Sequence, residues 1–284
     1  MSEQNTSGAT PDPEAPAPPR EERRGLRAVL RWTAAVLVFG AAATATAYGT
    51  IHAQRTDLPG LSTRGDGRWA YPVLAKPTLP AGAPLPKAED NKERRHYAPL
   101  SALLLPAPAG ARTDSGFKAG KDAVVSLDAF LEEYAPDERA KRRTVIENEG
   151  LLQIAGRGWT MPDGTRSRVY LLRFTSAEAV DTSGSCAIGT RLAGAGAFEP
   201  DTDWSKAKSS QNGMFAGQGF QGSGTLSSSE ISLYREAPSA GPGRTRLGCL
   251  QAGDVQAVII HTGKGATPVV PFHQTVILQS QLLS

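Results

Sequence analysis

The chain has 284 residues, a formal net charge of +3, 39% hydrophobic residues and 21% charged residues. Its 21 prolines and 30 glycines are unevenly spread, which reduces the foldable portion and predicts one folded domain. The basic residues are scattered and form no stripe interleaved with aromatic residues, which argues against nucleic acid as a partner.

Residues 1–27 are predicted to be a disordered cytoplasmic tail. After the initiator, Met1–Arg20 contains no large aliphatic or aromatic residue. Such a segment cannot bury enough apolar surface to offset the entropy of ordering. The tail ends in a basic stretch that leads directly into an apolar one.

Residues 28–52 are predicted to form one transmembrane helix. Twenty residues from Trp32 to Ile51 carry no charge, and a helix of that length spans about 30 Å, the hydrocarbon thickness of a bilayer. Arginines crowd the preceding flank, at Arg20, Arg23, Arg24, Arg27 and Arg31. By the positive-inside rule the N-terminus is then cytoplasmic and the following domain extracytoplasmic. We therefore expect a single-pass protein of the cell membrane, with membrane lipid as the partner of its anchor helix.

Two other interpretations of this segment stay open. A cleaved signal peptide is one, because Ala45-Thr46-Ala47 has the form of a cleavage site and Arg23-Arg24 resembles a twin-arginine signal. The long acidic tail and the length of the apolar run argue against cleavage. A buried helix of a soluble protein is the other, but a helix that is apolar on every face has no polar side to show to water.

Residues 53–94 are predicted to be a proline-rich linker that holds the domain off the membrane. Repeated prolines forbid the backbone hydrogen bonds of helix and sheet. Four residues are unusually apolar for a linker: Trp69, Tyr71, Val73 and Leu74. We expect these four to pack onto the domain as an extended arm, and a binding motif is the alternative.

Residues 95–284 are predicted to form an α+β domain with helices packed on one face of an antiparallel sheet. The segment 99–106 is a short helix or a buried strand. Ser126 is a plausible N-cap of a helix, and a second helix runs to about Asn148, with Gly150 beyond its end. The basic face of this second helix, formed by Arg139, Arg142 and Arg143, is predicted to be solvated. Docking to anionic lipid or a wall polymer is its alternative role.

A β-hairpin is predicted over residues 151–174, because two apolar runs flank the turn residues Pro162-Asp163-Gly164. A capping box at 175–178 predicts a short helix that ends near Val180. The glycine- and serine-rich segment 181–228 is predicted to be mostly loop. Three more strands follow in ISLYRE, RTRLGCLQAGD and VQAVII. A terminal helix begins at Thr267-Pro268 and places four residues on one face: Val269, Phe272, Val276 and Leu283.

The two cysteines, Cys186 and Cys249, are predicted to form a disulfide, because both would lie outside the cytoplasm, where disulfides persist. Closing a loop of roughly sixty residues stabilises a fold by roughly 4 kcal/mol in the chain-entropy model. Free thiols or a metal pair are the alternative, although two cysteines without nearby histidines supply too few ligands for structural zinc.

Several motifs match catalytic spacings without the context that the chemistry needs. Gly217–Gly222 has dinucleotide-fingerprint spacing but no strand before it and no helix after it. Ser205–Lys208 has S-x-x-K spacing but lacks the companion motifs of penicillin-recognising enzymes. The four histidines, His52, His96, His261 and His273, never stand at i, i+4. We therefore predict a protein that is not an enzyme, with no catalytic, cofactor-binding or metal-binding residue and no cofactor.

The anchor, the spacer and the segment WTMPDGTRSRVYLLRF resemble uncharacterised single-pass membrane proteins of streptomycete-type actinobacteria, over most of the chain. A weaker resemblance is to the extracellular sensor domains of mycobacterial Ser/Thr kinases, through Trp159, Asp163 and Gly164 of a W-x-x-x-D-G hairpin. This chain departs from those kinases because it has no kinase domain and only one possible disulfide. The resemblance implies an envelope binding or sensing domain and transfers no functional residue.

Three hypotheses about function follow. The first is a non-enzymatic, membrane-anchored domain that binds a protein or another component of the cell envelope, with a cleft around Trp204 and Phe215 as its site. The second is an envelope enzyme with an unrecognised site. The third is a secreted protein that is released after Ala47.

Overall fold

A computed structural model describes residues 29–34, 38–39, 66–182, 189–202, 204, 231–237 and 244–284. The predicted tail and most of the predicted anchor lie outside these residues. The chain divides into two compact units, and within the first of them, Met1–Gly65, residues 29–34 and 38–39 are helical. Within the described residues, no helix has the length and apolarity needed to cross a bilayer.

The second unit, Asp66–Ser284, contains one antiparallel sheet of seven strands in the order β1-β2-β3-β7-β6-β5-β4. The strands are β1 Arg112–Thr113, β2 Leu151–Thr160, β3 Arg166–Phe174, β4 Phe198–Pro200, β5 Ile231–Glu236, β6 Thr245–Ala252 and β7 Val255–Thr262. The sheet and its helices confirm the predicted α+β class. The unit starts before residue 95 because part of the predicted linker packs on the sheet.

The helices are α1 Leu100–Leu103, α2 Leu127–Leu131, α3 Arg139–Asn148, α4 Ala177–Thr182 and α5 Val269–Leu282, with a 3₁₀ turn at Lys121–Ala123. The predicted N-cap of α2 is confirmed, since the Ser126 hydroxyl accepts a hydrogen bond from the Ala129 amide at 3.2 Å. The Ser176 hydroxyl accepts the Ala179 amide in the same way at the start of α4. The ambiguous segment 99–106 contains the helix α1.

The predicted hairpin is confirmed as the pair β2–β3, which keeps one register over most of its length. Its turn closes through the Met161 amide on the Thr165 carbonyl at 2.8 Å, and the Asp163 carboxylate accepts the Thr165 amide at 2.7 Å. Gly164 has a φ of +84°, a conformation that a side chain disfavours. The turn residues therefore fix the register of the hairpin.

Helices cover both faces of the sheet, so the prediction of a single covered face is wrong. On one face, called here the α5 face, buried residues of β2, β3, β6 and β7 pack with α5 and α1. On the other, called the α3 face, the alternate residues of the same strands pack with α2, α3 and α4. The central strands β6 and β7 are buried almost throughout, which matches their nearly continuous apolar sequence.

Two finer expectations differ in part from the structure. Trp69 and Tyr71 pack onto the domain as an arm, but Val73 is 99% exposed and does not. Arg142 is mostly buried because it lies over the Tyr134 ring, 5.2 Å from its centroid, and bonds Thr190. The expectation that Arg142 lies on a solvated face is therefore wrong.

The predicted disulfide stays a prediction, because Cys186 lies outside the described residues. Cys249 is buried in β6 on the α3 face, and its sulfur is not a free thiol. A bridge at this position would tie the segment that contains Cys186 to a central strand of the sheet.

Candidate functional site

A row of four polar or aromatic side chains crosses the α5 face on neighbouring strands. Trp159 of β2 is opposite Ser167 of β3, and Ser167 is opposite His261 of β7. His261 is in turn opposite Arg246 of β6. Because residues that pair across strands point to the same face, the four side chains are neighbours beneath α5. We call them the polar row.

Three members of the polar row are fully buried with unpaired polar atoms. Among the described residues, the Trp159 indole N–H, the Ser167 hydroxyl and both ring nitrogens of His261 have no hydrogen-bond partner. Burial, followed by the positive charge of Arg246, lowers the pKa of His261 to about 3. His261 is therefore neutral at physiological pH.

The fourth member, Arg246, belongs to a buried ion-pair cluster at the end of the row. Its guanidinium donates to the Asp201 carboxylate at 2.9 Å and to the Thr267 carbonyl at 3.0 Å. The same carboxylate oxygen lies 2.9 Å from Nε2 of His273 on α5, and the other accepts the Trp204 amide at 3.2 Å. We call these residues the Asp201 cluster.

The electrostatics of the Asp201 cluster favour an ionised carboxylate. Burial alone would raise the pKa of Asp201, but the hydrogen bonds from His273 and the Trp204 amide outweigh it, with the charges of His273 and Arg246 adding to them. The pKa of Asp201 falls to about 2. Arginine and histidine share this carboxylate, so the geometry is that of a buried ion pair.

The arm of the chain covers the polar row. The Trp69 indole stacks on the His261 ring with centroids 5.2 Å apart and an interplanar angle of 17°. Its backbone is held by Gln274 of α5, whose side chain accepts the Trp69 amide at 2.8 Å and donates to the Trp69 carbonyl at 2.9 Å. The Tyr71 hydroxyl bonds the Thr275 hydroxyl at 2.8 Å. The row is therefore enclosed between sheet, helix and arm.

Below the arm a pocket opens between the proline-rich segment and the carboxyl end of α5. Its cavity is about 40 Å³ in volume, and the space around it opens to solvent. Most of its walls are apolar, formed by Pro77, Leu79, Leu85, Pro86, Leu103 and Leu282. His96 also lines it, but its ring nitrogens are used by Asp254 at 2.7 Å and by the Leu283 carbonyl at 3.1 Å. The imidazole is therefore part of the wall.

The place predicted for a cleft is only partly described. Trp204 packs edge-on against His273, with ring centroids 5.4 Å apart, and so joins the Asp201 cluster. Phe215, the 217–222 glycine motif and the 205–208 motif lie outside the described residues, as does His52. The structure separates the other histidines into three surroundings, with His96 at the pocket, His261 in the polar row and His273 at its end.

Sequence reasoning missed the pocket and the Asp201 cluster. The cluster joins residues 201, 246 and 273, whose spacing carries no local pattern. The available signal was weak: Ser167, Arg246 and His261 are polar residues near the ends of strands whose middle parts are mostly apolar. Among the described residues, no group of three His, Cys, Asp or Glu side chains could hold a metal ion.

Comparison with known proteins adds no assignment. No family model matches the chain, and no curated protein matches it in sequence.

Proposed function

We propose that the chain is a membrane-anchored protein whose extracytoplasmic domain binds, without catalysis, an aliphatic chain of a cell-envelope amphiphile. The pocket between the proline-rich segment and α5 is the binding site. The observation that carries this proposal is the pocket itself, whose mostly apolar lining is that of small-molecule sites.

The chemistry of the lining indicates the kind of ligand. Leucine and proline side chains form most of the wall, which suits an aliphatic body better than a sugar or a nucleotide. The polar groups are few, and Lys76 is exposed at the rim. An ammonium group in that place fits a ligand with an apolar body and an anionic end.

The anchor is proposed on the charge-free segment before residue 52 and its arginine-rich flank. The described helical residues in that segment agree with a lipid-facing surface, because Trp32, Val38 and Phe39 are all largely exposed. An anchored domain would meet envelope amphiphiles at high local concentration.

The binding test uses the full-length chain in detergent micelles or nanodiscs and a fluorescent fatty acid as the probe. Leu85 is 45% exposed and lines the pocket, so Leu85→Asp places a charge in the site with little effect on the core. We expect probe affinity to fall at least about tenfold, which corresponds to about 1.4 kcal/mol.

The matched control is Val73→Asp, which adds the same charge to the same segment outside the pocket. The control should bind the probe as the parent chain does. Equal binding by the parent chain and the Leu85→Asp variant would refute the proposed site.

The anchor is tested separately with a reporter fused at the carboxyl end. A reporter that works only outside the cytoplasm supports the proposed topology, and one that works only in the cytosol refutes it. Mass spectrometry of the mature N-terminus then distinguishes an anchored chain from the alternative, a protein released after Ala47.

The enzyme alternative would have to use the contact between His273 and Asp201, the single histidine–carboxylate pair near the predicted cleft among the described residues. Arg246 shares that carboxylate, so the arrangement favours ion pairing over proton transfer. The geometry therefore supports binding better than catalysis.

A further inference from the structure

The contact between α5 and the arm has the form of peptide recognition. Gln274 accepts the Trp69 amide and donates to the Trp69 carbonyl, so one side chain satisfies both main-chain groups of one residue. Contacts to the main chain require no particular side chain in the bound segment. The Ala109 amide adds a third main-chain contact, to the Ala70 carbonyl at 2.7 Å.

Side-chain contacts supply the selectivity. Trp69 is buried against His261, and Tyr71 is half-buried with its hydroxyl on Thr275. Ala70 between them is exposed. The Tyr71 amide also donates to the Trp69 carbonyl at 3.2 Å, so the segment bends at Ala70 in a γ-turn. The site therefore fits a segment of the form aromatic–small–aromatic in that turn.

The docked arm is held over a short length. Arg68 before it and Pro72 and Val73 after it are exposed, so the contacts above fasten only three consecutive residues. The arm also encloses His261, whose ring nitrogens have no partner among the described residues. A buried polar group without a partner destabilises the docked state, and undocking would return the His261 ring to water.

We propose that this site on α5 is a receptor for an aromatic–small–aromatic segment bent in a γ-turn, which the isolated chain fills with its own arm and neighbouring copies fill by exchanging arms. Every copy carries the matching ligand, so a second copy is the partner whose chemistry is known to fit. Exchange of an identical segment preserves all of its contacts, and the exposed Pro72 and Val73 offer a hinge.

The first experiment mixes two full-length variants that carry different tags. Trp69→Ala with Tyr71→Ala gives a chain with an empty site and no ligand, and Gln274→Ala with Thr275→Ala gives a chain with a free arm and no site. In nanodiscs that hold both, capture of one tag should recover the other about tenfold more than in either like-with-like mixture, because only the mixed pair has both halves of the contact.

Val270→Ala serves as the control for changes on α5, because Val270 is an exposed residue of the same helix. This variant should behave as the parent chain in every mixture. Equal recovery from mixed and like pairs would overturn the exchange of arms.

The second experiment titrates a synthetic peptide of residues 66–74 into the full-length chain. The Trp69→Ala, Tyr71→Ala chain should bind it about tenfold more tightly than the parent, because an arm that fills the site about nine-tenths of the time leaves about one-tenth of it available. A peptide with both aromatic residues replaced by alanine is the control.

If the double alanine variant does not fold cooperatively, Tyr71→Phe replaces it, since it removes only the hydroxyl contact to Thr275. It should still bind the peptide more tightly than the parent does, by a smaller factor. Equal binding of both peptides to the empty-site chain would overturn the receptor.

Discussion

The two faces of the sheet differ in how completely their buried polar groups are hydrogen-bonded. On the α3 face Arg168 donates to Asp114 at 2.8 Å and to Glu133 at 2.5 Å, and the Tyr170 hydroxyl donates to the same Glu133 oxygen at 2.6 Å. On the α5 face the neighbouring residue, Ser167, is buried with no partner for its hydroxyl among the described residues. The α3 face is stabilised by a network in which the polar groups are hydrogen-bonded, whereas the α5 face is covered by the arm, which can undock.

The pKa shifts express the same contrast. Burial alone would lower the pKa of Arg168, but the charge of Glu133 and the hydrogen bonds to Asp114 and Glu133 raise it. Arg168 therefore stays protonated. In the polar row, burial and the charge of Arg246 lower the pKa of His261, so its charged form is excluded. The α3 face pairs the polar groups of this network, whereas the α5 face combines the paired Asp201 cluster with a neutral His261 that has no partner among the described residues.

The largest expected effect comes from breaking the satisfied network. Arg168→Ala leaves Asp114 and Glu133 without their shared cation while both remain mostly buried. Removing one partner of a buried ion pair costs about 3 to 5 kcal/mol of unfolding free energy. Urea unfolding of the full-length chain measures it.

Arg235→Ala is the control for Arg168→Ala, because it breaks the more exposed ion pair with Glu199 and should cost about 0 to 1 kcal/mol. Equal costs for the two variants would mean that the α3 network does not stabilise the fold as described.

The second-largest effect on the unfolding free energy is expected from the predicted disulfide. Reduction of the Cys186–Cys249 bridge is expected to lower the unfolding free energy by roughly 4 kcal/mol in the chain-entropy model. Urea unfolding with and without a reductant measures this, and Cys186→Ser with Cys249→Ser is the control that no longer responds to reductant. An unchanged midpoint in reductant would show that the two thiols are not bonded.

Mild acid should weaken the α5 face through His261. Its pKa in the folded chain, about 3, is below the ordinary value of 6.5, so the unfolded chain binds more protons between these limits. The stability is complete above pH 6.5 and is lost progressively as the pH falls toward 3. Between pH 7 and pH 5 the loss is on the order of 2 kcal/mol.

His261→Phe isolates this contribution, because it fills the same space between Trp69 and Phe272 without a titratable group. The drop in unfolding free energy from pH 7 to pH 5 should be smaller in this variant than in the parent. Parallel pH profiles would show that His261 does not titrate on unfolding.

The smallest effect on the unfolding free energy is expected for a change at Ser167, the residue before Arg168. Ser167→Ala removes a buried hydroxyl that makes no hydrogen bond to the described residues, so no partner is orphaned. The unfolding free energy should change by less than about 0.5 kcal/mol or increase slightly. A loss of more than about 1 kcal/mol would reveal a hydrogen bond to a bound water molecule.

The sequence predicted the elements whose signals are local. The hairpin followed from apolar runs around Pro162-Asp163-Gly164, and α2 followed from Ser126 at its start. Trp69 and Tyr71 were expected to pack as an arm because aromatic residues are rare in linkers. Each of these signals lies within a few residues of the element it predicts.

What the sequence did not predict depends on long-range packing. The packing of helices on both faces of the sheet could have been predicted from the run VQAVII, since a nearly continuous apolar strand is buried on both sides. The Asp201 cluster could not, because its members are far apart in sequence. The close approach of α5 to β6 depends on Gly248, where a Cβ would meet Val276 at 3.0 Å.

Hydrogen exchange of the full-length chain measured by mass spectrometry tests most directly whether the α5 face opens locally while the α3 face does not. The Val125 amide bonds the Ile154 carbonyl at 3.0 Å on the α3 face and is the matched reference for the Trp69 amide on Gln274. We predict that peptides containing Trp69 and Tyr71 exchange well before peptides containing Val125, since opening of the arm needs no global unfolding. Equal protection of the two segments would contradict the account.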